Sequence, residues 1–399
     1  MPCSGILGYL ERYVPVLQVC YIILDKINVI LYNYLKYGGN MKCNIFLILL
    51  LFMNILLFAQ NQNDFEYTST VTNGKQGIII TKYIGNNVNV IIPENINGIP
   101  VTVIGENSFE QTNIKTIEMS DSIISIGNRA FRGCQELITV KISASVLNFG
   151  RYSVNTAIVK DNVGNGTKVV GQIKSGTEVL GTIETISGVG GELGNYGLDL
   201  IFDGCSKLTS INVDLNNPNY SSIDGVLFNK QMTILLFFPH GKEGNYNIPN
   251  SVIEIGEGAF FNCKQLTSVS FPDKLISIGL FNFFFCSSIK SFNVDLNNEN
   301  FISEDGVLYN KNKEKLVRFP SGKTGFFQVP EYVKIIGHGA FFSCSSGSRI
   351  YIVFENIIRI EHGGLGGFNF GNSQQELATR FPGAFDLPMD IVFLYDGGA

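Results

Sequence analysis

The chain has 399 residues, with 29 Lys and Arg against 34 Asp and Glu, three His and a formal net charge of −5. Hydrophobic residues at 45% and charged residues at 16% exclude a disordered polyelectrolyte. The acidic balance argues against a nucleic-acid binder that works through a basic surface, and three His cannot build a His-rich metal centre.

Residues 1–40 carry no repeat and no clear period. Met41–Gln60 reads MKCNIFLILLLFMNILLFAQ: a short basic start at Lys42, an apolar run from Ile45 to Phe58 broken by Asn54, and the small residue Ala59. This is the pattern of a secretory signal peptide over 41–59, cleaved near Ala59. The apolar run falls short of the ~20 residues that a spanning helix needs, although a retained anchor is the competing reading. Met41 is therefore expected to be the start, with 1–40 an upstream extension. Without residues 1–59 the net charge moves to near −7. Residues 60–84 form an N-terminal segment or cap.

From residue 85 the chain is repetitive. Ile104-Gly105…Phe109 recurs as Ile126-Gly127…Phe131-x-x-Cys134, and Ile255-Gly256…Phe260-x-x-Cys263 as Ile278-Gly279…Phe283-x-x-Cys286. An aliphatic ladder follows each corner, as in Leu137, Val140, Ile142 and in Leu266, Val269, Phe271. A 22–23-residue unit is too short to bury a core alone, so copies must stack, with one short parallel strand per coil. Equivalent residues then lie about 4.8 Å apart. Phe109, Phe131, Phe202, Phe260, Phe283 and Phe341, with Cys134, Cys205, Cys263, Cys286 and Cys344, are expected to form one internal column. Gly after Ile suits a corner of positive φ or close approach.

A longer period of 81 residues is superimposed. Val213-Asp-Leu-Asn-Asn-Pro-Asn-Tyr220 answers Val294-Asp-Leu-Asn-Asn-Glu-Asn-Phe301, and Gly258-Ala-Phe-Phe-Asn-Cys263 answers Gly339-Ala-Phe-Phe-Ser-Cys344. Within each unit the Asp224-Gly225 and Asp305-Gly306 turns announce a hairpin projecting from the stack, Val226–Asn229 with 233–237 and Val307–Asn310 with 314–319. The repeats cover 85–154 and 198–365. Between them, the Gly/Thr-rich stretch 155–197 reads as an insertion, a strand-rich protrusion or a flexible loop. Either a binding element or a variable surface loop fits it. The pattern decays over 366–399 into a degenerate last repeat.

The I-G-x-x-A-F-x-x-C copies resemble the leucine-rich repeats of BspA-like surface antigens. The resemblance implies a curved right-handed solenoid, export to the cell surface, and adhesion through binding of host or neighbouring-cell proteins. It implies neither cofactor nor catalysis.

The residues themselves agree with a non-enzyme. His240 aligns with Ser321 and His338 with Glu257 across the duplication, whereas a required base would not be expected to differ between near-identical units. Gly322-Lys323-Thr324 lacks the upstream Gly of a phosphate loop. Asp214–Asn219 and Asp295–Asn300 lack the order of a Ca²⁺ loop and read as Asx turns. All five exported Cys share one slot, which favours buried thiols over a disulfide framework. Outward ladder positions are Glu118, Thr139, Lys141, Ser210, Asn212, Ser268, Ser270, Ser291 and Asn293, a small polar face and the candidate surface for a protein ligand. No small-molecule substrate or nucleic acid is indicated. A structural component of the cell envelope is the alternative role.

Overall fold

The computed structural model describes residues 62–72, 75–149, 201–344, 348–352, 356–366 and 380, together with the strands between 152 and 187. The signal-peptide and upstream-extension readings at 1–59, and residues 367–379 and 381–399, lie outside the described residues. Residues 60–399 form one compact unit.

That unit is a β-solenoid of about ten turns with almost no helix. Each coil contributes two short strands to two walls, one more than the single strand expected, because the Ile-Gly corner also pairs with its neighbours. One wall stacks the Ile-Gly strands in parallel: Ile78–Ile80 beside Val101–Ile104, then Ser125–Ile126 and Asn148–Phe149. The other stacks the ladder strands Asn89–Ile91, Thr116–Glu118, Thr139–Ile142 and Ser210–Val213, again parallel and in register. At its N-terminal end Phe65–Thr72 pairs antiparallel with Lys75–Tyr83, so a hairpin covers the first Ile-Gly strand. Residues 157–187 make a separate three-stranded antiparallel sheet.

The Gly of the Ile-Gly corner is there for space. A Cβ on Gly105 would lie 2.5 Å from the Ile80 carbonyl oxygen, and one on Gly279 would lie 2.6 Å from the Glu257 nitrogen. Left-handed φ falls elsewhere, at two other positions of the coil: Asn107, Arg129, Gly258 and Phe281 at the first, Gln111, Gly133, Asn262 and Phe285 at the second.

The interior is aromatic and dry, but it is divided. Tyr83, Phe109, Phe131, Phe202 and Phe237 stack with centroid steps of 5.2, 5.4, 5.6 and 5.4 Å. Phe238, the next residue, opens a second stack with Phe260 and Phe283 at 5.1 Å per step. Phe319 and Phe341 form a third. The single column expected from the repeat is thus three sections.

The hairpins cause the division, and they do not project. All four residues of Val226–Asn229 are buried. Leu227 packs into the first section while Val226 and Phe228 pack into the second. Leu308 likewise faces the second section, with Val307 and Tyr309 in the third. Alternation along a strand sends neighbouring side chains to opposite faces, so an apolar strand can wall off two cores and belong to both. The partner strand Ile234–Phe237 then continues the stack by pairing in parallel with Glu254–Ile255.

Candidate functional site

The ladder wall presents the outward positions named above. Thr116, Thr139 and Ser210 lie in one register row, and Glu118, Lys141 and Asn212 in the next. Within that row Lys141 bonds Glu118 from strand to strand at 2.8 Å. Ser268 sits beside Ser291, and Ser270 beside Asn293. Asn245 extends the first of these rows, and its Oδ1 accepts the Thr267 and Ser268 hydroxyls at 2.8 Å each.

The nine residues do not share one sheet. Glu118, Thr139, Lys141, Ser210 and Asn212 belong to the first section, whereas Ser268, Ser270, Ser291 and Asn293 belong to a sheet of 244–247, 266–271 and 291–294. The Asp224-Gly225 turn occupies the edge between them: the Ile211 N–H donates to the Gly225 carbonyl at 2.9 Å. A third sheet pairs Gly325–Gln328 with Ser348–Tyr351.

That third sheet holds a residue the sequence reading passed over. Phe326 is 69% exposed on its strand and aligns, by the 81-residue offset, with Asn245. The signal was a polar position replaced by an aromatic one between two near-identical units. Leu215 and Leu296 are also equivalent, and each is 91% exposed on its Asx loop.

Those loops are anchored by asparagine. Buried Asn217 donates to the Ser143 and Val146 carbonyls at 2.9 Å, and its Oδ1 accepts the Asn219 and Tyr220 N–H groups. Asn298 repeats the pattern on Pro272, Leu275, Asn300 and Phe301. Their oxygens are committed to backbone. Among the described residues no group of three or more His, Cys, Asp or Glu is placed to hold a metal ion.

At the corner beyond the first section lies an open groove of about 450 Å³ edged by Gln111, Arg132, Glu136 and Asp203. Arg132 bridges Glu110 and Asp203 at 3.3 Å each. Lys207, 2.6 Å from Glu136, holds that exposed carboxyl below its usual range. The groove offers paired charges and amides, suited to polar contact.

The cysteines point inward. Cys134 donates its S–H to the Phe109 carbonyl at 3.0 Å, Cys205 to Phe131 at 3.1 Å and Cys286 to Phe260 at 2.9 Å. All five described cysteines are free thiols, and burial pushes Cys344 up to about 12. His240 is buried against Phe237, and burial holds it down to about 4. No helix among the described residues is long and apolar enough to cross a membrane.

Stacked parallel coils, a shared Phe slot and a thiol slot define a leucine-rich-repeat solenoid. The family described as BspA type leucine rich repeat region matches in six copies over 82–168 and 236–325. Among solved structures, a leucine rich cell surface protein from Faecalibacterium prausnitzii is similar at 19% identity and TM-score 0.41, covering 74% of this chain and 71% of that one. The pneumococcal vaccine antigen PcpA is similar at 13% identity and TM-score 0.37, covering 82% and 97%. The leucine rich repeat protein of T. pallidum is similar at 19% identity and TM-score 0.32, covering 59% and 81%. No curated protein matches the sequence significantly.

Proposed function

We propose that the chain is an exported, surface-displayed module that binds a protein partner through its ladder wall and carries no catalysis. Phe326 carries the reading. A phenyl ring exposed on its strand has the character of an interface anchor, because binding energy concentrates in a few large side chains ringed by polar ones. Gln328 on the same strand, and the Ser and Asn rows of the neighbouring section, supply such a rim. The signal-peptide pattern at 41–59 supports export.

Cell attachment by the purified chain tests this. Phe326→Ser should weaken saturable attachment at least ~10-fold, the effect of removing one anchor, without lowering the melting temperature. Full attachment by Phe326→Ser, with loss on deleting 155–197, would move the site to the insertion.

The envelope role draws on a separate observation. Leu215 and Leu296 expose equivalent apolar tips one 81-residue unit apart, a spacing that suits a repetitive partner. Co-fractionation with envelope fragments that is lost in the Leu215→Ser, Leu296→Ser double variant would favour it.

A further inference from the structure

The coil 278–286 departs from the other described coils. Phe281, Phe283 and Phe285 all have left-handed φ, at 58°, 65° and 59°, where bulky side chains are outliers. The coils on either side place Gly258 and Gly339 at the position of Phe281, and Asn262 and Ser343 at that of Phe285. Asn282 replaces the usual Ala and repairs the distorted backbone. Its amide donates to the Gly256 and Gly279 carbonyls, and its oxygen accepts the Phe260 N–H.

The strained coil keeps Phe283 in the main core and turns Phe281 and Phe284 away from it. Phe281, Phe284, Phe261 and Phe342 form a cluster of their own. Phe284 lies flat on Phe342, with centroids 4.4 Å apart. It also fills the space above Gly339, where a Cβ would come within 2.1 Å of its Cζ. Arg318 is buried in this seam, 4.6 Å from the Phe284 centroid. It donates to the Gly339, Phe283 and Phe342 carbonyls, so it ties the coil 278–286 to the coil 336–344. In the other copy of the unit, Asp203 stands for Phe284 and Phe237 for Arg318.

His338 is wedged into the same seam. Its ring meets Phe281 edge-on at 5.0 Å, stacks on Phe284 at 5.8 Å and faces His362 at 6.2 Å. The charged groups around it are mostly cationic. Arg318 and Lys315 come from the strand 315–318, and Arg359, Glu361 and His362 from the following coil. Glu257 occupies the equivalent position of the coil before 278–286, and Cys286 and Cys344 flank Arg318. Glu361 is already engaged by Lys315 at 2.8 Å, Arg359 at 3.0 Å and the His338 backbone N–H at 2.9 Å.

We propose that this aromatic seam is an acid-released joint: protonation of His338 beside Arg318 parts the coil 278–286 from the coil 336–344 and bares Phe281, Phe284 and Phe342. A proton on His338 adds a second cation to a site that already holds one, and the strained coil gains by relaxing. Burial first, then His362 and Arg318, hold His338 down to about 4, with Glu361 opposing. The open seam returns the imidazole to its ordinary value near 6.5. Opening therefore becomes roughly 100-fold more favourable between pH 8 and pH 4 by linkage.

Hydrogen exchange of the full chain, corrected for intrinsic rates, tests this. Peptides covering 278–286 and 336–344 should lose protection by that factor between pH 8 and pH 4, and a hydrophobic dye should bind in step. In a His240→Ser background, peptides covering 104–134 should not change. His338→Gln should abolish the step; if that variant does not fold, His338→Asn serves. His240→Ser should retain the step. The imidazole resonance of His338 should titrate near pH 4. A midpoint at 6 or above, an unchanged seam, a step that survives in His338→Gln, or simultaneous exchange of every coil would each overturn the proposal.

Discussion

Arg318 shows how a single side chain changes its purpose between two copies of one unit. Its counterpart Phe237 closes an aromatic stack, whereas Arg318 supplies donors to three carbonyls in a place that water does not reach. Burial lowers its pKa to about 10, so it remains charged at neutral pH. Buried acceptors that lose a partner cost about 1–3 kcal/mol each. Arg318→Leu should therefore destabilise the solenoid by about 3 kcal/mol in a urea titration. Arg318→Phe, which installs the other copy's residue, should fare no better, because it brings no donor. A loss below about 0.5 kcal/mol, the range of neutral surface changes, would show that those carbonyls do not need the guanidinium.

At the scale of the element, the loop after a ladder strand depends on one buried amide. The Asn298 side chain makes four hydrogen bonds, two given to the preceding coil and two taken from its own loop, while Asn297 beside it is exposed. Asn298→Ala should cost about 2–4 kcal/mol, since several groups lose partners together, and Asn297→Ala should stay within about 0.5 kcal/mol; paired denaturation curves would separate the two. The ladder strands were legible, because the aliphatic positions recur at a fixed step and parallel stacking is the arrangement that buries them; the Ile-Gly strands were not, because Ile-Gly reads as a tight corner. The septum strands were half legible. Val226-Leu227-Phe228 is an unbroken apolar run, which marks a strand buried on both faces, yet its turn signals also fit a protruding hairpin. The division of the ladder wall was not legible. It depends on where the Asp224-Gly225 turn lands, and a turn sequence specifies its own shape but not its neighbour. Phe326 was hidden for a related reason: a lone aromatic in an apolar-rich chain reads as core until its strand's facing is known.

At the scale of the whole molecule, stability follows the histidines before it follows the acids. His240 is fully enclosed beside Phe237, and burial is the main cause that lowers it to about 4, with Asp203 opposing and Lys264 assisting. The folded chain thus binds this proton less readily than the unfolded chain, whose imidazole titrates near 6.5. The stability that depends on neutral His240 is complete above pH 6.5, declines as pH falls from there toward 4, and is flat below. Its size is of the order of 3 kcal/mol, since each unit of pKa is worth about 1.4 kcal/mol. The ion-paired carboxylates act in a lower window. Glu304, hydrogen-bonded by Lys313 and Tyr332, and Glu361, which burial pushes up but Lys315 pulls down further, both lie below their ordinary value. Their contribution is present above about pH 4.5 and is lost only below it. Melting temperature should therefore fall in two stages on acidification. His240→Ser, the residue that the other copy carries at Ser321, should shrink the first stage, with His338 carrying the remainder, and leave the second. If the two proteins show parallel profiles between pH 7 and pH 4.5, the buried imidazole is not what couples this fold to protons.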